Sequence, residues 1–572
     1  MNHFPFLRLP NELRHKVYQA YFTLSNGYSC DALSGKLMTF DREPIDLALM
    51  YTCSLIASET NDLPLKHNVV SFFTFYHPDW RLLAGRFEYL RRAQISLQLY
   101  LLTTHGHHLT PQMWCQIREK FPWFVPNLQF TLQQGPDWLP SGNDSLLLHM
   151  DDGRWNLHRF ICDVNPGIEG LRGSRYEASQ AVKFCLNLLG QKLGSILLNT
   201  RSPTRTGPGR PPSRYRPTGD MKRHFHIIDF LNRCWEPWEI PTGPSIEYMG
   251  ELFDDARDLD FLQRWDENTW RSTLPPKYMY RSKFRFSATA IAIRLFKRLP
   301  VTKLKAMRSV VIHEDLFAVG HQECHSHGLI PFCQDNKRLR VTIRVAMLTN
   351  ILMAGSIGDS AGESLWAYRE ERIPFHTHDF SPRLSCWLTE ALATVDAGMP
   401  AESYSLVFDG GTATGLFSCL FQEVIQRDIA FYRAVEQCFP GLLDKYDMAG
   451  LSRRFVEGME HLLSQTSVIR CNFNPGVLLD VEGFVKKVST DPFLPENEQE
   501  QVYSLMLLHQ RLEAPAFDTS LFPQEFARWE DEMLSNWESC NLSEWRRHER
   551  ARLRNNKALC RYRDKRDPPY VI

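Results

Sequence analysis

The chain has no CxxC pair, no net charge and no long apolar run in its 572 residues. Its fourteen cysteines are scattered from Cys30 to Cys560. Without paired spacing, that usage reads as reduced thiols and not as a disulfide framework, which points to the cytosol or the nucleus. Lys+Arg 66 balance Asp+Glu 66, so overall charge does not make the molecule a general nucleic-acid or membrane-surface binder. No stretch approaches the roughly 18 uninterrupted apolar residues of a membrane span. The opening MNHFPFLRLPNELRHK has charges throughout and lacks the apolar core of a secretory signal. What is present is a globular composition, 43% hydrophobic and 23% charged, which excludes a disordered chain, a collagen-like chain and a coiled-coil rod.

Periodicity supplies the elements. Leu9, Leu13, Val17 and Tyr21 recur every fourth residue and predict an amphipathic helix, with Pro10 in its first turn and Glu12 at its positive end. A second helix is expected through IDLALMYTCSLIASETNDL, carrying Leu49, Cys53, Ile56 and Thr60 on one side. LKHNVVSFFTFY reads as a strand. So does RRAQISLQLYLL, where Ile95, Leu97, Leu99 and Leu101 alternate with Ser96, Gln98 and Tyr100, the pattern of a sheet with one wet face. YEASQAVKFCLNLLGQKL and FSATAIAIRLFKRL predict helices, and MRSVVIHED predicts a short strand. RLRVTIRVAML predicts another, with Leu339, Val341, Ile343 and Val345 on one face. Helical patterns dominate from Pro400 onward. The fold class is α+β: N-terminal helices, a body containing a mixed sheet, and a helix-rich C-terminal part. Strands and helices do not alternate regularly, which argues against Rossmann and TIM architectures.

The neutral total conceals segregation. Residues 201–219 hold five Arg, five Pro, three Gly and no acid, a composition that cannot form a core. Residues 546–566 carry ten Arg or Lys against two acids. Two basic segments thus accompany an acidic body. The implied organisation is an N-terminal module over 1–76, a first body segment over 77–198, and a linker or exposed loop over 199–221. A second body segment over 222–540 and a basic tail over 541–572 follow.

Several motifs carry chemistry-bearing residues. GDSAG (358–362) matches the nucleophile-elbow pattern, and Ser360, Asp480 and His509 stand in triad order. No Gly-rich oxyanion segment precedes it, and His509 falls inside the helical pattern VYSLMLLHQRL, so a Gly/Ser loop is the better reading. HQECHSHGLIPFC offers His321, Cys324, His325, His327 and Cys333, crowded into one stretch without the second ligand pair of a zinc site. His105, His107 and His108, and His376, His378 and Asp379, are less specific still. DGGTATG (409–415) lacks the Lys-Ser/Thr of a phosphate-binding loop. No catalytic residue, metal or cofactor is expected from these.

LRLPNELRHKVYQ resembles the opening helix of an F-box and the LPxELR motif of fungal F-box-like proteins. LMYTCSLIASETNDLPLKHNVVSFFTF and MRSVVIHEDLFAVGHQECHSHGLIPFCQDNKRLRV resemble further segments of that fungal family, so the likeness covers roughly residues 4–76 and 300–345. The resemblance implies docking of a Skp-type adaptor of a cullin ubiquitin ligase through Leu9, Pro10, Leu13 and Val17. Residues 77–540 would then recognise a protein target. One departure is the segment containing SNGYSCDALSGK, which separates the first helix from the second where an F-box has a short connection. The same apolar stripe also suits a helix that packs into its own domain.

The tail RARLRNNKALCRYRDKR resembles a bZIP basic region, with Asn555, Ala558, Arg561, Tyr562 and Arg563 in order, followed by Lys565 and Arg566. That likeness implies contacts to bases and phosphates in a major groove. Leu559 replaces the second small residue, and no leucine heptads follow. A nuclear-import segment, a segment for an acidic partner and a solvated tail are the alternatives. The leading expectation is a non-enzymatic adaptor of the cytoplasm or nucleus. A DNA- or chromatin-associated protein and a serine hydrolase around Ser360 are the rivals.

Trypsin is expected to cut first within 201–219, giving fragments of about 22 and about 43 kDa, because Arg-rich chain without backbone pairing is the easiest substrate. Gel analysis of a limited digest checks this. First cuts elsewhere would place this stretch against the body.

Overall fold

The computed structural model describes residues 6–134, 174–199, 232–252, 278–352, 377–445, 453–465, 467–491, 495, 498–512 and 537–541. The chain opens with α1 (Asn11–Phe22), the hairpin β1 (Tyr28–Asp31) and β2 (Lys36–Thr39), then α2 (Ser54–Thr60), α3 (Leu63–His67) and β3 (Val69–Phe73). The long α4 (Pro78–His105) and α5 (Arg175–Asn199) come next, then β4 (Tyr278–Ser282), α6 (Ala288–Arg298), β5 (Ser309–Glu314) and β6 (Arg340–Ala346). The remainder comprises α7 (Thr377–Asp396), β7 (Tyr404–Asp409), α8 (Gln426–Cys438), α9 (Arg453–Ser464), β8 (Ile469–Cys471), α10 (Val481–Ser489), α11 (Glu498–Arg511) and β9 (Trp537–Asn541). Helix and strand are mixed, in keeping with an α+β class.

Seven strands form one sheet in the order β2-β1-β3-β5-β6-β7-β8, and β4 pairs with β9 separately. β2 is antiparallel to β1, while every other neighbour in the large sheet is parallel. Strands from before residue 76 and after residue 300 therefore share one sheet, with Val70 beside Val310 and Phe72 beside Ile312. The order of the parallel strands never reverses. Right-handed crossovers then all place their connections on the same face.

Burial follows that geometry. Val310, Ile312 and Glu314 of β5 are buried, as are Val341, Ile343 and Val345 of β6 and Tyr404, Leu406 and Phe408 of β7. The residues between them, from Ser309 to Asp409, remain half-buried or exposed. The alternation in RLRVTIRVAML is thus the mark of a parallel sheet that, among the described residues, buries its apolar side chains on one side, where a sheet buried on both would read as a continuous apolar run. α6 lies across β3 and β5 and buries eight of its eleven residues, and α9 packs by β8. A second apolar cluster joins the C-terminal half of α4 (Leu101, Leu102) to Ile117, Phe124 and Leu128 and to Ala181, Cys185 and Leu189 of α5.

The structure corrects two expectations. RRAQISLQLYLL is not a strand but the middle of α4. Its buried positions Phe87, Leu90, Arg91, Gln94, Gln98, Leu101, Leu102 and His105 recur at helical spacing, and the polar residues in that stripe left only the misleading alternation visible. Gln94 and Gln98 are buried because their side-chain amides donate to the Arg233 carbonyl at 3.0 Å and to Cys234 Sγ at 3.4 Å. The second predicted helix is broken: Ala48–Tyr51 is a 3-10 turn, extended Cys53 (φ −159) interrupts it, and α2 and α3 follow. Beyond Pro400, β7 and β8 lie among the helices, β7 carrying the alternation Tyr404, Leu406, Phe408. Among the described residues no helix is long and apolar enough to cross a membrane.

Ile343→Ala and Thr342→Ala test the one-sided sheet, since the two residues are adjacent on β6 and face opposite ways. The first is expected to cost about 2–5 kcal/mol as a core truncation. The second should stay within about 0.5 kcal/mol, as surface substitutions do. Urea unfolding of both variants checks the contrast. Equal losses would mean that both faces are covered.

Candidate functional site

α1 meets the body through a different face from the one its apolar stripe suggests. Tyr18 and Phe22 are buried with Ile56 of α2 and Leu63 of α3, and Phe6, Leu47, Leu49 and Met50 pack around them. Arg14 joins this side. Its Nε donates to Glu59 Oε2 at 3.0 Å, its second guanidinium nitrogen meets the other carboxylate oxygen, and a third donates to the Leu9 carbonyl at 2.6 Å. Tyr18 Oη donates to Glu59 Oε2 at 2.8 Å. The Arg14 bond, against a smaller effect of burial, lowers the Glu59 carboxyl. At the end of α1, buried Asn68 donates to the carbonyls of Phe22 (2.6 Å) and Pro64 (2.8 Å) and accepts from the Leu24 amide at 2.8 Å. One side chain thus fastens the helix to the start of β3.

The sequence-derived docking residues lie on the other side. Leu13, Val17 and Tyr21 are 45%, 46% and 39% exposed. Pro10 is exposed at the N-cap, and Leu9 is half-buried where its carbonyl accepts from Arg14. Leu7 and Leu24 extend the exposed apolar surface at either end. The stripe is therefore not the face by which α1 packs.

The cluster in HQECHSHGLIPFC becomes a buried polar hub. Gln322–Leu329 forms a 3-10 helix with every residue buried. His325 Nε2 lies 3.1 Å from the Gly320 carbonyl, which can only accept, so this nitrogen carries the proton and Nδ1 accepts from Ser287 Oγ at 2.6 Å. Ser287 Oγ in turn accepts from the Ala290 amide and caps α6. Burial holds the His325 imidazole down to about 3, so it stays neutral. Gly320 is confined to glycine, because at φ +90 a Cβ would meet the Pro237 carbonyl oxygen at 2.3 Å. His327 Nε2 donates to Glu390 Oε2 at 3.1 Å, and Glu390 also accepts from Ser174 Oγ and the Arg175 amide. Burial raises the Glu323 carboxyl, but His321 and Arg175, the latter at 2.9 Å, pull harder and hold it well below its usual range. Cys324 and Cys333 are buried thiols that burial pushes up, far from the thiolate a metal needs. Nearby, Glu314 accepts from the amides of Ala288 and Thr289 and from Thr289 Oγ1 at 2.6 Å, while burial pushes its carboxyl up to about 7. Among the described residues no group of three or more His, Cys, Asp or Glu side chains can hold a metal ion.

The remaining candidates separate. His105, His107 and His108 gather at the end of α4 with ring centroids 3.9–6.5 Å apart, and His105 is lowered by burial and by its two neighbours. Asp480 caps α10 by accepting from the Glu482 amide, whereas His509 of α11 donates to buried Asp428 at 2.8 Å. Asp428 is also bound by Arg427 and Ser381, which makes it a structural junction of α7, α8 and α11. The triad drawn from sequence order is not assembled by these two residues. Ser360 and His376, and the tail residues Asn555, Ala558, Arg561, Tyr562, Arg563, Lys565 and Arg566, lie outside the described residues, as does 201–219. DGGTATG follows β7: Asp409 accepts from Arg344 at 2.8 and 3.1 Å, from Asn472 Nδ2 at 2.6 Å and from the Gly411 amide at 3.0 Å. Residue-level reading of the sequence missed this cluster. The signal was there, because alternation in VTIRVA turns Arg344 outward and Asp409 ends the next strand. Comparison with known proteins returns no match among family models, curated sequences or solved structures.

The pH dependence of stability tests the hub. His325 titrates at about 3 when folded against an ordinary 6.5, so between these values the unfolded chain binds a proton that the folded chain does not. Stability from this site is full above pH 6.5 and falls as pH drops towards 3. Glu314, raised from 4.5 to about 7, acts oppositely between those values. His325→Gln is expected to flatten the acid limb of unfolding free energy against pH by about 1.4 kcal/mol per pH unit. Denaturant unfolding across that range measures it, and an unchanged slope would contradict the neutral buried imidazole.

Proposed function

We propose that the chain is a non-enzymatic interaction protein that docks a partner through α1, with a Skp-type adaptor of a cullin ubiquitin ligase as the first partner to test. The observation that carries this reading is the division of α1 between two faces. Tyr18, Phe22 and Arg14 satisfy the helix's packing and leave Leu13 and Val17 about half exposed, while the neighbouring Tyr21 donates its hydroxyl to Asp46. Unassigned apolar side chains at i and i+4 are the anchors by which a helix fills a hydrophobic groove. The bidentate Arg14–Glu59 pair and the Asn68 clamp hold that surface in place, so it meets a partner already formed. An adaptor of this kind works in the cytoplasm or nucleus, in keeping with the scattered cysteine spacing. The likeness to fungal F-box-like proteins in LRLPNELRHKVYQ supports the same reading.

Leu13→Asp combined with Val17→Asp is expected to abolish co-purification of the adaptor, since a charge in an apolar contact costs several kcal/mol and a micromolar complex has only about 8. Because both positions are exposed, the melting temperature should move by no more than a few degrees. Unfolding of the double variant would show that the stripe packs internally. Failure of the wild type to retain an adaptor in pull-downs from cell extract would remove the ligase reading.

A further inference from the structure

Two strands of the molecule stand apart from the large sheet. β4 and β9 pair antiparallel over five residues, from Tyr278 opposite Asn541 to Ser282 opposite Trp537, and neither joins the seven-stranded sheet. Among the described elements each lies chiefly beside the other. A ribbon of only two strands is marginal in water, so this pairing opens far more easily than the seven-stranded sheet does. The register is also selective in sequence. It sets Arg281 opposite Glu538, and opposite charges at facing positions favour one alignment over its neighbours.

The two strands are held differently. The chain leaving β4 is fastened to the body at once. Phe284 and Phe286 are buried, the Val319 amide donates to the Arg285 carbonyl at 2.9 Å, and the Phe75 amide donates to the Phe286 carbonyl at 3.0 Å. Ser287 then caps α6. β4 is therefore a fixed edge. β9 reaches it from the far end of the chain, after α11 and residues 513–536, and its main-chain register with β4 is what places it there.

We infer that β4 is a strand-accepting edge that the chain closes with its own β9, and that β9 of a second copy takes the place when the first withdraws. An identical strand arriving from another molecule keeps every pair in the register, so only the tether differs between the two states. A tethered strand acts at an effective concentration on the order of millimolar, which keeps the edge closed in dilute solution. An extended segment of unrelated sequence would answer to the same main-chain groups. It would lack the glutamate that faces Arg281, which makes the second copy the better occupant. The inference uses none of the α1 residues and stands independently of adaptor docking.

Fluorescence anisotropy with the full chain tests it, the probe being a fluorescein-labelled peptide of residues 535–543. Ser539→Pro with Cys540→Pro in the full chain removes two adjacent main-chain donors, which unseats the chain's own strand whichever of them faces β4. The probe is expected to bind this variant at least about tenfold more tightly than the wild type, with the melting temperature of the body retained. A probe carrying the same two prolines should not bind. Glu538→Lys in the probe should weaken binding a few-fold, and Arg281→Glu in the double-proline chain should restore it. Equal affinity for the two chains, binding of the proline probe, or binding to neither chain would overturn the inference. Indifference to the charge exchange would overturn the assignment to a second copy. Hydrogen exchange of the wild type gives a measure that needs no variant. Amides of 278–282 and 537–541 should exchange well before those of β5 and β6. Equal protection would mean that the ribbon opens only when the body unfolds, which would also overturn the inference.

Discussion

The handedness of parallel crossovers governs the arrangement of this molecule. Because the parallel strands run β1-β3-β5-β6-β7-β8 without reversal, right-handed crossovers send their connections to one face, and among the described residues the apolar core lies there. The buried row Val70, Val310, Val341, Tyr404 and the row Phe72, Ile312, Ile343, Leu406, Ile469 are the apolar floor on which the helices rest. A doubly wound sheet would have a strand-order reversal and a crevice there. Here the parallel strands contain no reversal and so no crevice of that kind.

Apolar contact alone does not fix where the helices sit on that floor. The polar residues between them do. Glu314 reaches from the end of β5 to the first amides of α6. Ser287 caps the same helix and accepts no substitute without orphaning His325. His325 and Glu88 in turn occupy the carbonyl and the amide of Gly320. A chain of buried hydrogen bonds of this kind is stabilising only when complete, so each member constrains its neighbours. The sequence HQECHSHG therefore concentrates donors and acceptors for reasons of assembly. Histidines and cysteines in such a stretch are what a buried polar hub requires as much as what a metal site requires.

Much of the sheet was legible because its residues obey a local rule. In RVTIRVA and SVVIHE the alternation is set by the pleat and by one-sided burial, and both survive into the structure. α4 was illegible for the converse reason. Its inward face includes Gln94 and Gln98, whose burial depends on the Arg233 carbonyl and on Cys234, partners well over a hundred residues away that no local window contains. The direction of the α1 stripe was half legible: spacing showed an apolar line, but the choice of Tyr18 and Phe22 as the packing pair depends on Glu59, Ile56 and Leu63. The Arg344–Asp409–Asn472 cluster was half legible: alternation in VTIRVA turns Arg344 outward, but its meeting with Asp409 and Asn472 depends on the register of neighbouring strands.

Asn68 has a consequence beyond holding α1 in position. Its three hydrogen bonds, to Phe22 and Leu24 at the end of the first helix and to Pro64 in the first turn of α3, all come from the residue immediately before β3. The N-terminal helix therefore has little freedom left to lose when something settles on it. Ordering of flexible segments is a large part of what opposes association, and here that ordering has been completed during folding. A partner of α1 would meet a rigid body, and the heat of its binding would report surface contact and desolvation alone, without the enthalpy of a helix forming at the interface.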